Sequence, residues 1–345
     1  MKRILLCFMM QMVLIGCTKK PPTGTVFPIS QIHVVTSPES DDAAEIMHQA
    51  QALLGNKNYD GLEAMAAKYR TSQECYADGS WKLFHFYEGL DPADADSEAV
   101  WLERQEQLHQ WIQAKPESVT ARVGLGLFMT AYAWHARGSG WASTVKEEDE
   151  KLFEERLQQA VQVLGEALKL KEKCPVCWTA MQKAALGLGL DRSRYDDIFT
   201  QAIEEFPSYN YYYRSRAIFL LPRWYGEEGE WEKDLAKSAD LVGGEKGDIV
   251  YARVVWSIHH YGTGIDVFAD KKRISWDRVD RGFNAILKQY PDSLAAKNEH
   301  AHLAALGGDR ELAQKYLLQT KGEVDLSVWQ AQGEYEDCYK WAFAQ

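Results

Sequence analysis

The sequence predicts an all-α protein, a helical-repeat solenoid whose repeats are degenerate. Three observations lead there. From Asp41 onward apolar residues recur every three or four positions among Ala, Glu, Gln and Lys, the period of an amphipathic helix. Three such stretches end alike, WIQAKPES with Pro116, IEEFPSY with Pro207 and LKQYPDS with Pro291. Proline cannot continue a helix but suits the first turn of the next one. Glycine turns also recur, at Leu54-Gly55-Asn56-Lys57-Asn58, Leu188-Gly189-Leu190-Asp191 and Leu306-Gly307-Gly308-Asp309. Each reads as a helix closed by Gly, followed by an Asn or Asp that caps the next.

The chain opens on MKRILLCFMMQMVLIGCTKK, with Lys2 and Arg3 ahead of an uncharged run from Ile4 to Ile15. That run is too short for a membrane span, which needs about 20 residues, and it reads as a removable signal peptide over residues 1–16. Leu14-Ile15-Gly16-Cys17 resembles the bacterial lipobox, where the leader is cut before an acylated cysteine. The resemblance implies a thioether-linked diacylglycerol and an amide-linked fatty acid such as palmitate on Cys17. Two or more chains give stable attachment where a single one does not. Thr18, in place of an Asp, implies transfer to the outer membrane with the body facing the periplasm. Residues 17–40, rich in Pro, Thr and Ser, are expected to be the acylated cysteine and a flexible tether, although Phe27-Pro28-Ile29 and Val34-Val35 are apolar enough to dock. Residues 41–345 are expected to form one helical-repeat domain.

Within that domain Pro175 and Pro207 stand close to one ~34-residue tetratricopeptide period apart. The other prolines do not keep the register, so the chain resembles tetratricopeptide helix pairs with insertions. A second resemblance covers roughly residues 60–310. WHARGSGWASTV (134–145), CPVCWTAM (174–181), FLLPRWYGEEGEWE (219–232) and GGEKGDIVYARVVW (243–256) are similar to an uncharacterised bacterial domain family. It is helical and tetratricopeptide-like, and it brings no activity with it.

Charge narrows the function. The net charge is −11, and the leader removes two cations and no acid. Such a balance argues against nucleic acid, whose phosphates require a basic face, and against a broad electrostatic patch for anionic lipid.

Cys174-Pro175-Val176-Cys177 is the sharpest local signal. A CxxC at a helix start can run thiol–disulfide exchange, but the βαβ context of that chemistry is missing. A local structural disulfide between Cys174 and Cys177, unpaired thiols and longer bridges all remain open. Zinc would need two more ligands, and Cys75 and Cys338 are remote in sequence. His259-His260 and His300-Ala301-His302 lack the three- or four-residue spacing that puts ligands on one helix face. The expectation is therefore no metal and no cofactor.

Aromatic residues are abundant, with 12 Trp and 17 Tyr. Tyr209, Tyr212 and Arg216 share a helix face by spacing, and Arg223 and Trp224 follow in the next loop. Tyr, Trp and Arg are the usual hot-spot residues of interfaces. These five are the candidate partner-binding residues, against the alternative that the rings pack between helices. The leading reading is a protein–protein interaction scaffold on a lipid anchor, binding an envelope protein or peptide. The alternatives are an enzyme whose site is invisible in sequence, or a thiol–disulfide accessory protein using Cys174 and Cys177.

Overall fold

The computed structural model describes residues 26–76, 79–93, 95–138, 145–261, 265–270 and 272–344. The expected signal peptide, Cys17 and the first part of the expected tether lie outside the described residues. The body begins with a short strand β1 (His33–Val35) and the helices α1 (Pro38–Gly55), α2 (Tyr59–Ser72), α3 (Lys82–Glu88), α4 (Glu98–Ala114) and α5 (Val119–Arg137). It continues through α6 (Glu147–Lys169), α7 (Pro175–Gly187), α8 (Arg192–Glu205), α9 (Tyr211–Phe219) and α10 (Glu230–Val242). Then come α11 (Gly244–His259), α12 (Trp276–Gln289), α13 (Leu294–Leu306), α14 (Arg310–Gln319), a strand β2 (Glu323–Asp325) and α15 (Gln332–Phe343). The fold is all-α, a tetratricopeptide-like series of helix pairs that pack on their sequence neighbours.

The repeats show in the turns. Lys115, Phe206 and Tyr290 each precede a proline and close α4, α8 and α12 with nearly one backbone conformation: φ −131°, −138° and −129°, ψ 71°, 72° and 71°. The cause is steric, because proline's Cδ excludes the helical conformation from the residue before it. Pro116, Pro207 and Pro291 stand in the turns themselves, whereas the sequence placed them in the first turn of the following helix. In two of the three junctions a serine two residues on takes up the start of the next helix. Ser118 accepts from the Ala121 N–H, and Ser293 from the Ala296 N–H. Pro38 and Pro175 do open helices, α1 and α7.

At the glycine turns the expected caps are present. Asn58 accepts from the Gly61 N–H, Asp191 from Arg194, and Asp309 from Glu311 and Leu312. Each contributes about 1 kcal/mol to its helix.

The series does not stay open. β1 pairs in parallel with β2, His33 opposite Glu323 and Val35 opposite Asp325. Phe27 stacks on Tyr339 at 4.7 Å, and the Tyr339 hydroxyl donates to the Phe27 carbonyl at 2.8 Å. Ser293 donates to the buried Glu39 carboxylate at 2.9 Å. The described part of residues 17–40 is thus docked and partly regular, not a free tether, because its apolar residues find the C-terminal unit. Helical structure also begins at Pro38, ahead of the expected boundary at Asp41. α3 packs on α1 and α2 and meets the segment that leads into α9, with Trp81 edge-on to Tyr209 at 5.1 Å and Phe84 stacked on Tyr211 at 4.5 Å. One large core follows the series, and a smaller one under α13–α15 includes Trp329, Tyr316 and Tyr335.

Gly282 sets the approach of α12 to α11. A Cβ there would fall 2.2 Å from the Asp248 carbonyl and 2.6 Å from the Ala252 Cβ. Gly282→Ala is expected to force the two helices apart and destabilise the fold by about 1–3 kcal/mol, the usual cost of overpacking. Urea denaturation measures this directly; an unchanged midpoint would contradict the close approach.

Candidate functional site

A cavity of about 300 Å³ opens on the inner face, between α3, α5, α7, α9 and the loop after α9. Its walls carry the aromatic rings of Phe84, Trp134, Trp224 and Tyr261. Trp134 meets Trp224 edge-on at 5.8 Å, and the Trp224 indole donates to the Tyr261 hydroxyl at 3.0 Å. Arg223 lies over both the Trp224 and Tyr261 rings, at 5.8 and 5.5 Å from their centroids. Cation–π contacts of this kind orient the guanidinium while leaving its donors available.

Polar groups complete the lining. Lys183 and Arg214 stand on one side with no ion pair among the described residues, and Glu88 and Asp91 also border the cavity. Thr179 Oγ1, Gln182 Oε1 and Trp134 Nε1 are buried atoms with no hydrogen-bond partner among the described residues. Gln182 is only 1% exposed. A buried polar group left unpaired costs about 1–3 kcal/mol, and three around one cavity mark a place where a ligand's polar groups would be welcome. A second hollow of about 360 Å³ adjoins the first, shares Phe84, Glu88 and Arg214 with it, and runs on to Arg253, Trp256, His260 and Glu299. Together they form a continuous groove beside α3 and α9.

Of the five sequence candidates, only Trp224 lines this groove. Arg223 lies over the Trp224 and Tyr261 rings and lines a separate hollow with Glu228, Glu232 and Asp270. Tyr209 and Tyr212 are 0% exposed. Tyr212 donates to the Pro175 carbonyl at 2.9 Å. Arg216 is buried, held bidentate by Asp234 at 3.1 Å and paired with Asp196. Tyr212 and Arg216 tie α9 to α7, α8 and α10 and are turned into the core. Tyr209 stands in the turn before α9, packed on Trp81, so the expected helix face holds only two of the three and it is the core side.

The sequence also missed Phe84, Lys183 and Arg214, since nothing local marks α3 as an interior helix. One signal was available. The four stretches that resemble the uncharacterised family each send a residue into the groove: Trp134, Thr179, Trp224 and Trp256.

Cys174 and Cys177 are both free thiols and both buried. They point apart: the Cys174 sulfur lies 3.4 Å from the Tyr87 hydroxyl, and the Cys177 thiol faces the Leu164 carbonyl at 3.7 Å. Of the alternatives left open, the structure shows unpaired thiols, because Cys174 and Cys177 pack toward different helices. Burial pushes both well up from their ordinary pKa, which removes the thiolate that exchange chemistry needs. Cys338 is likewise pushed up to about 11 by burial.

The histidines are closer than their spacing suggested. His260 is the residue that ends α11, where the helical geometry stops, so it and His259 both meet His302 of α13. His302 stacks on Trp329 at 4.4 Å, and burial, then the neighbouring His259 and His260, push its pKa down to about 3.

No family model matches the sequence, and no curated protein matches it. Among solved structures, the crystal structure of yeast Tom70 is similar over 87% of this chain and 82% of that chain, at 10% identity and a TM-score of 0.22. That score carries no argument; the helix packing and the repeated turns define the fold.

The depressed His302 gives a pH dependence with a definite sign. In the unfolded chain it titrates near 6.5, and in the folded one only near 3. The unfolded state therefore binds the extra proton below about pH 6.5, and the stabilisation present above that pH declines as pH falls. The urea midpoint is expected to drop steadily from pH 7 to pH 4, with a smaller drop in His302→Gln. A flat profile, or one unchanged by the substitution, would contradict this.

Proposed function

We propose that this chain is an outer-membrane lipoprotein, anchored through acyl groups on Cys17 with its body facing the periplasm, and that its inner groove binds a segment of an envelope protein. The observation that carries the binding reading is the groove itself. Four segments far apart in sequence converge on an aromatic-lined hollow where Lys183 and Arg214 have no ion pair, and Trp134, Thr179 and Gln182 carry unsatisfied buried polar atoms, among the described residues. Aromatic slots take apolar side chains of an extended segment, and Lys183, Arg214, Thr179 and Gln182 supply partners for its carboxylates and amides. Trp and Arg at the centre of such a surface are the residue types that dominate binding energy. The anchor reading rests on Lys2, Arg3, the uncharged run and Leu14-Ile15-Gly16-Cys17.

Two measurements test the two halves separately. A photo-crosslinking amino acid placed at Phe84 or Trp224 in living cells is expected to give a discrete protein adduct. The same group at Leu241, which is 74% exposed on α10, should give none. Adducts at Leu241 alone, or at no site, would defeat the groove reading. For the anchor, Cys17→Ala is expected to leave the protein unprocessed or released from the membrane fraction, and mass spectrometry of the wild type should show acylated Cys17. Unchanged fractionation of the mutant would defeat that half.

A further inference from the structure

We infer that His259, His260 and His302 form a binding site for a divalent first-row transition metal, zinc in the first place, at the junction of α11 and α13. The inference is independent of the groove's partner.

One ring nitrogen from each of the three lies within 4.8 Å of the others. Zinc held tetrahedrally at about 2.0–2.1 Å from imidazole nitrogens sets them about 3.4 Å apart, a gap that small side-chain rotations close. A hydrogen bond outside the cluster orients one of the rings. His259 Nδ1 sits 2.8 Å from the Ile265 carbonyl. A carbonyl only accepts, so Nδ1 carries the proton and Nε2 presents its lone pair. A carbonyl behind the imidazole is an arrangement that fixes the tautomer of metal-bound histidines. His302 Nδ1 is buried and has no hydrogen-bond partner among the described residues. The Glu334 carboxylate stands 3.7 Å from His302 Nε2, beyond hydrogen-bond reach, and its charge favours a proton on that nitrogen over one on Nδ1.

His260 is the exposed member, and it also lines the hollow beside Arg253 and Glu299. It holds its ring against Trp256 at 3.7 Å, with Nε2 3.3 Å from the Val328 carbonyl. Turning His260 toward its two neighbours exchanges that long contact for a metal bond. Three neutral imidazoles suit zinc, copper or nickel and disfavour magnesium or calcium. Three protein ligands also leave a coordination position for water or for a donor atom of a bound molecule.

The test uses the full chain, purified in detergent and stripped with EDTA. Calorimetric titration with zinc alone is expected to show one equivalent bound, with magnesium giving no heat. His259→Gln and His260→Gln, neither of them fully buried, are each expected to weaken zinc binding at least about tenfold while keeping the helical circular dichroism and a metal-free melting temperature close to that of the wild type. Zinc should raise the melting temperature of the wild type and not of the double variant. Cobalt in place of zinc should give visible bands of a low-coordinate site that both single variants lose. His302→Ala removes the third ligand, and should it fail to fold, the other two variants decide. Absence of stoichiometric binding in the wild type, or binding undiminished in both His259→Gln and His260→Gln, overturns the inference.

Discussion

The parallel pairing of His33–Val35 with Glu323–Asp325 is the constraint on which the rest of the molecule depends. Two parallel strands need a long crossover between them, and here the crossover is nearly the whole helical body. A solenoid of stacked helix pairs is otherwise quasi-one-dimensional, each unit touching only its neighbours, and its curvature is free to drift. Joining the first described residues to the last unit removes that freedom. The seam is short, but Phe27 on Tyr339, Glu39 with Ser293 and the Gln332 side chain on the Ile32 carbonyl extend it. Closing the series in this way limits the freedom of the helices packed around α3 and of the groove beside it.

Behind the groove the polar chemistry is costly and specific. Arg216 is taken almost entirely out of water and held by two carboxylates, Asp196 and Asp234, from α8 and α10. Buried ion pairs of this kind add little net stability, but removing one partner leaves a stranded charge and costs several kcal/mol. They fix register: α9 can sit in only one way between its neighbours. The Asp280 carboxylate does similar work near the C-terminal end. Burial acts to raise its pKa, and hydrogen bonds from His300 and Tyr316 outweigh that and lower it.

What the sequence reveals divides along the range of the interaction. Local rules are legible. Asn58, Asp191 and Asp309 cap where their spacing says they should, and the residues before Pro116, Pro207 and Pro291 stop their helices alike, because both effects act within four residues. Facing is only half legible. Tyr212 and Arg216 do share a stripe of α9, with Tyr209 in the turn before it, yet periodicity cannot say whether the stripe meets solvent or another helix, and a second layer covers this one. The histidine cluster is not legible at all from spacing on a single helix, because its third member comes from α13 and its second stands just beyond the end of α11. Phe27 and Val35 carry a weak apolar signal, but their receptor on α15 and β2 lies at the other end of the chain.

That distance sets an order of events in folding. Most helix contacts join neighbours in sequence and can form as soon as each pair of helices exists, whereas the Phe27–Tyr339 contact spans 312 residues. Long-range closures of this kind come late, since the intervening loop entropy must be overcome before any contact rewards it. The seam can therefore close only once β2 and the helices around it exist, and the segment from Phe27 to Val35 is among the last parts of the body to be fastened.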